Sequence, residues 1–127
     1  MESALEVGKN LVALTGQGRW LEAMDTLYSP DMVSLEAVEM QPGWQRLVGI
    51  AAVREKTVRF LQKHDIHHCL VTGPWPHGDR FIVVFKLNLT AKNGPMAGKR
   101  LDIEEAALYT VNDGKIVKEE FFYNMPG

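Results

Sequence analysis

Residues 100–123, RLDIEEAALYTVNDGKIVKEEFFY, hold two strand-like runs, Arg100 to Val111 and Lys115 to Tyr123, joined by Asn112-Asp113-Gly114. Asn, Asp and Gly tolerate the positive φ of tight hairpin turns, and both flanking runs alternate, so this stretch predicts an antiparallel hairpin. Alternation then sorts the side chains. With Tyr109 facing a core, Ala107, Glu105, Ile103 and Leu101 face it too, and one face of the partner strand carries Val117, Glu119, Phe121 and Tyr123. A carboxylate on an otherwise apolar inner face must find a partner or titrate abnormally, because burying a lone charge is costly. That makes it a candidate for chemistry.

Upstream of the hairpin the same period continues, with strands expected at Ile66 to Thr72 and Arg80 to Ala91. The junctions carry turn chemistry: Gly73-Pro74-Trp75-Pro76-His77-Gly78-Asp79, then Asn93-Gly94-Pro95 with Gly98. Before residue 66 the period is helical. Ser3 and Glu6 form a capping box, followed by Val7, Leu11 and Leu14 until Gly16-Gln17-Gly18. Trp20, Met24, Leu27 and Tyr28 line one face of a second helix, which Ser29-Pro30-Asp31 ends. Met32 to Val38 is expected as a strand and Gln41-Pro42-Gly43-Trp44 as a loop. Gly49 opens the longest helix, whose stripe is Ile50, Val53, Thr57, Phe60, Leu61 and His64, with Arg54, Glu55, Lys56, Arg59 and Lys63 mostly off it. Helices first and hairpin-linked strands afterwards predict an α+β fold, a curved antiparallel sheet with N-terminal helices enclosing a pocket.

The 127 residues, 46% hydrophobic, are expected to form one domain, 1–127, with a single core. A formal net charge of −2, from 14 basic and 16 acidic residues, points away from nucleic acid. A lone cysteine, Cys69, excludes an internal disulfide framework. No apolar run approaches the ~18 residues of a membrane span, and the acidic start lacks the pattern of a signal peptide, so a cytoplasmic location is expected.

Three segments carry a resemblance: Leu27-Tyr28-Ser29-Pro30-Asp31-Met32-Val33-Ser34-Leu35-Glu36, Gly49-Ile50-Ala51-Ala52-Val53-Arg54 and Gly114-Lys115-Ile116-Val117-Lys118-Glu119-Glu120. Together with the element order they resemble the SnoaL-like domains of the nuclear transport factor 2-like superfamily, over nearly the whole chain. The resemblance implies a cone-shaped fold around one deep pocket. Its members include isomerases, cyclases, dehydratases, ligand binders and protein scaffolds. In ketosteroid isomerases of the superfamily the general-base carboxylate lies on the first strand, beyond an aromatic-x-x-Asp signature, a place held here by Glu36. The oxyanion donors of those enzymes correspond to Asn10 and Ala107, a departure that removes two strong donors. SnoaL-type cyclases take their base from a late strand, which implies Glu105 or, alternatively, Glu104.

The expected catalytic residues are thus Glu36 and Glu105, and the expected ligand-binding residues are Trp44, Trp20, Phe85, Tyr109, Glu119, Phe121, Tyr123 and His68. Trp44 is singled out because its loop lies where this fold has its pocket mouth. Both acids inside would repel, raising at least one pKa toward neutrality. A buried trio with Glu119 would need a partner such as His67, His68 or Arg46. No metal site is expected, since His64 ends a helix while His67 and His68 point to opposite sides of a strand. No cofactor is expected either. The implied reaction is isomerisation, cyclisation or dehydration of a small apolar carbonyl compound; the alternative is a non-catalytic ligand-binding or scaffold module. On the opposite sheet face Ile82, Val84, Leu108, Ile116 and Phe122 share parity with Lys86, Lys118 and Glu120, an apolar patch that predicts homodimerisation through that face.

Overall fold

Nine elements succeed one another in the computed structural model, which describes residues 2–124. They are α1 (Ala4–Gly16), α2 (Trp20–Leu27), β1 (Tyr28–Leu35), β2 (Arg46–Val48), α3 (Ile50–Lys63), β3 (His64–His77), β4 (Arg80–Ala91), β5 (Arg100–Asn112) and β6 (Lys115–Phe122). The capping box forms as its spacing requires: the Ser3 hydroxyl accepts from the Glu6 amide at 3.2 Å and donates to the Glu6 carboxylate at 3.3 Å. Val7, Leu11 and Thr15 then fall on the buried face of α1. Gly8 shares that face, and a Cβ there would stand 2.8 Å from Pro74 Cβ and 3.2 Å from Phe81 Cδ2. Its missing side chain lets α1 lie directly on β3 and β4.

Tyr28 leaves the helical pattern earlier than expected, becoming extended at the end of α2 and pairing with Ile116. Pro30 restricts the residue before it to extended backbone, which turns the chain into a strand at this point. β1 therefore starts and ends earlier than the expected Met32 to Val38. The three-residue β2 pairs Val33 with Val48 in a stretch too short to carry an alternation signal. β3 is also longer than expected, because the strand runs on through Gly73 and Pro74 with a register shift between Thr72 and Trp75. Gly73 takes φ 117°, and a Cβ at that position would meet the Ile82 carbonyl oxygen at 2.9 Å.

The strands form one sheet in the order β2-β1-β6-β5-β4-β3. All neighbours are antiparallel except β1 and β6, which run parallel and make the sheet mixed. Its inner face follows the predicted parity along β5: Glu105 lies opposite Phe85, Ala107 opposite Val83, and Tyr109 opposite Phe81. Helices α1, α2 and α3 cover this face, and Val7, Leu11, Met24, Leu27, Val53, Phe81, Val83 and Tyr109 close the core.

Two bulges overturn parity-based expectations. Between Thr110 and Val111 the register shifts, so that Val117 is an extra residue and Ile116 pairs with Val111. Ile116 is consequently 0% exposed in the core and not on the outer face as expected. The second bulge falls at His67, after which His68 pairs with Asn88 while Ile66 pairs with Leu89. His68 is thereby exposed on the outer face, away from the hollow in which it was expected. Among the described residues no helix is long and apolar enough to cross a membrane, and no cluster of three His, Cys, Asp or Glu side chains could hold a metal ion.

Candidate functional site

Where α3 crosses the sheet, one ammonium meets three carboxylates. Lys56 lies three residues after Val53 and four before Phe60, which puts it on the inward stripe of α3 rather than off it. Its Nζ donates to Ser34 Oγ at 2.7 Å and pairs with Glu36 Oε1 at 3.1 Å. The Lys56 and Glu36 side chains keep only 13% and 18% of their surface exposed. The Phe121 ring centroid lies 5.3 Å from the same nitrogen, a cation–π contact.

Two further chains of hydrogen bonds run from this pair. Tyr123 donates to Glu36 Oε2 at 3.2 Å. Ser34 donates to Glu119 Oε2 at 2.7 Å, and the Tyr28 hydroxyl donates to Glu119 Oε1. Glu119, 1% exposed, thus has donors on both oxygens. Burial pushes its pKa up, an effect that Lys56, Tyr28 and Ser34 oppose and Glu36 reinforces. Burial and the facing carboxylates likewise raise the phenols: Tyr28 and Tyr109 through Glu119, and Tyr123 through Glu36.

Glu105 differs from the other two acids. Among the described residues no side chain hydrogen-bonds its carboxyl group; burial, then Glu36 and Glu119, push its pKa up to about 7, with Lys56 pulling the other way. At neutral pH such a group is divided between acid and base forms, the condition for moving a proton both ways. The alternative Glu104 is excluded by position: it is exposed, with Lys86 at 3.7 Å.

The other expected site residues divide. Phe121 and Tyr123 touch the cluster directly. Phe85 is the cross-strand neighbour of Glu105 and packs against Trp20 with centroids 5.5 Å apart. Tyr109 is stacked on Phe81 at 5.1 Å in the core. Trp44 sits half-buried in the loop before β2, beneath the Arg59 guanidinium at 5.3 Å, and is not in contact with the acids through any hydrogen bond. Asn10 is exposed and bonded to Glu2, while Ala107 is buried and apolar, so neither supplies an oxyanion donor to this cluster. A groove of about 740 Å³ opens at the β1 and β6 ends and touches the cluster through Glu36 and Phe121, with Leu35, Glu39, Arg46 and Phe122 also in its wall; Glu105 and Lys56 lie behind that wall and do not line it. That volume is in the range of small-molecule sites.

Three members of the cluster were missed from the sequence. Ser34 shares its parity with Met32 and Glu36 along β1, and the spacing of Lys56 from Val53 and Phe60 was equally available. Tyr28 gave no such signal, because its hydroxyl meets Glu119 across 91 positions of chain. The partner expected from His67, His68 or Arg46 is Lys56 instead.

The chain is similar to known structures throughout its length. A protein from Mesorhizobium loti, provisionally named a SnoaL-like polyketide cyclase, is 33% identical with a TM-score of 0.88, over 96% of this chain and 100% of that one. A provisionally named polyketide cyclase from Pseudomonas putida is 18% identical with a TM-score of 0.72, over 98% and 94%. A protein from Catenulispora acidiphila with a ketosteroid isomerase-like fold, solved in complex with trimethylamine, is 16% identical with a TM-score of 0.72, over 94% and 86%. At these lower identities the likeness is one of fold. No curated protein matches the chain. The model of the SnoaL-like domain matches residues 3–123. With that match and the cone of helices over a curved sheet, the chain belongs to the SnoaL-like domain family.

Proposed function

We propose that this protein binds a small apolar carbonyl compound and carries out cofactor-free isomerisation, cyclisation or dehydration on it, with Glu105 as the group that takes and returns the proton. The observation that carries this reading is the environment of Glu105: a partly buried carboxyl without a side-chain hydrogen-bond partner among the described residues, titrating near pH 7 beside two acids that are already satisfied. Glu36, tied to Lys56 and Tyr123, serves as a fixed charge that keeps Glu105 basic, so of the two expected bases Glu105 is the better placed. The cyclase name of the Mesorhizobium loti neighbour supports the same class of reaction. The single thiol, Cys69, suits a reducing cytoplasm.

Hydrogen–deuterium exchange at the α-carbon of a simple ketone in D2O, followed by NMR, tests this. The protein should accelerate exchange with an inflection near pH 7, and Glu105→Gln should lower the rate by roughly 10²–10⁴-fold, the usual size of an acid–base contribution. Equal rates for both proteins would overturn the reading. Ketone binding without exchange would favour the second reading, a non-catalytic binding module, which the outward Asn10 and apolar Ala107 support.

The homodimer is proposed on the outer sheet face. There Trp75 pairs with Ile82 and Ala106 with Phe122, and Trp75, Ile82 and Phe122 are exposed by 54%, 42% and 54%. A mixed apolar patch of this kind fits a self-complementary contact between two copies.

A further inference from the structure

We propose that Lys56 is the electrophile of this site: its ammonium takes up the negative charge that develops on a substrate oxygen, which makes the substrates neutral ketones, aldehydes or esters bearing an α-hydrogen. The inference rests on the reading of Glu105 as the proton carrier.

Removing an α-proton moves an electron pair. The C–H pair becomes the C=C bond of an enolate, the carbonyl π pair moves onto oxygen, and the proton goes to the Glu105 carboxylate. Return of that proton to a carbon of the enolate completes an isomerisation, so no other reactant is needed. The total charge of the site is unchanged throughout, because the charge lost at Glu105 reappears on the substrate oxygen. What matters is which groups favour that transfer. Glu36 and Glu119 repel charge at Glu105, whereas a cation beside the oxygen attracts it there.

Donor accounting identifies the cation. Tyr123 already donates to Glu36, and Ser34 and Tyr28 donate to Glu119. Tyr109 is a neutral phenol stacked on Phe81 in the core, 2% exposed, and burial beside Glu119 raises its pKa further. Lys56 has three N–H groups, of which Ser34 and Glu36 take two among the described residues. It is therefore the cation of the cluster, with one N–H left over among the described residues, on a nitrogen 5.3 Å from the Phe121 ring. The Tyr28, Glu119 and Ser34 chain acts as a positioning device, since Ser34 gives its single proton to Glu119 and offers a lone pair to Lys56.

Substituted phenols are the probe, because a phenolate places a full charge on an oxygen of enolate shape. The charged and titratable groups facing the ammonium are Glu36 beyond β1, Glu105 on β5, Glu119 on β6 and Tyr123 beyond β6, and the same groups would surround the phenol. Ultraviolet spectra of bound phenols should show ionisation at least about one pH unit below that of the free phenol, a tenfold preference for the anion. Lys56→Arg should keep a shift in the same direction. The double variant Lys56→Met with Glu36→Gln, which leaves no broken ion pair to unfold the protein, should abolish it, with folding checked by circular dichroism. An unshifted phenol in the unaltered protein, or an equal shift in the double variant, would overturn the role of Lys56. So would failure of any phenol to bind while α-proton exchange still depends on Glu105. Loss of the Glu105 dependence itself would instead strike the underlying reading.

Discussion

Lys56→Met should lower the free energy of unfolding by about 3 kcal/mol, since removing one partner of a buried pair leaves the other charge uncompensated. The side chains of Lys56 and Glu36 are 13% and 18% exposed, so solvent screens the pair little. Without the ammonium, Glu36 retains the Tyr123 hydroxyl, and Glu119 loses the nearest positive charge that opposes its burial. The Phe121 contact disappears too, although Met refills much of the apolar space. Urea unfolding at pH 7 would read this as a midpoint lower by roughly 1–3 M at unchanged slope. Adding Glu36→Gln should restore a large part of the loss, the signature of two coupled sites in a double-mutant cycle. If Lys56→Met cost less than about 0.5 kcal/mol, the pair would be energetically a surface ion pair and the description of the site as a shielded cluster would be wrong.

Glu105→Gln should have an effect of similar size that depends on pH and has the opposite sign in alkali. The carboxyl titrates at 4.5 in an unfolded chain and near 7 in the folded protein, so folding favours its protonated form. Its stabilising contribution is complete below pH 4.5, declines as pH rises through 7, and is absent above. A shift of this size corresponds to on the order of 3 kcal/mol between the two limits. Glutamine is neutral at every pH and mimics the protonated acid. The variant should therefore match the parent near pH 4 and exceed it in stability by pH 8.5. Glu119, also shifted upward, tilts both curves the same way, so the difference between them isolates Glu105. Parallel stability curves from pH 4 to 8.5 would mean that Glu105 is ionised in water like an ordinary surface acid.

Much of this architecture was legible because its causes are local. Asp113 and Gly114 take φ 51° and 74°, as the hairpin turn needs, and Asn112 pairs with Lys115 across it. The capping box rests on residues three apart. The inward direction of Glu105 and Glu119 follows from counting in twos between bulges, and that count remained valid along β5 and the second half of β6. Counting failed where an extra residue entered a strand: Val117 turned Ile116 inward, and His67 turned His68 outward. A bulge changes parity without a strong mark in composition. Lys56 was missed for a different reason. A lysine at the edge of an apolar helix stripe is ordinarily solvated, and its place on α3 gains meaning only with Ser34 and Glu36 fixed 2.7 and 3.1 Å away.

By itself, then, the order of residues determined the helices, the hairpins and the presence of acids on the sheet's inner side, since each depends on periodicity and turn chemistry within a few neighbours. The parallel contact of β1 with β6, the gathering of Glu36, Glu105 and Glu119 around one ammonium, and the isolation of Glu105 were decided by tertiary structure alone. Those features join groups separated by up to 91 positions, and desolvation and Coulomb repulsion act across space without regard to distance along the chain.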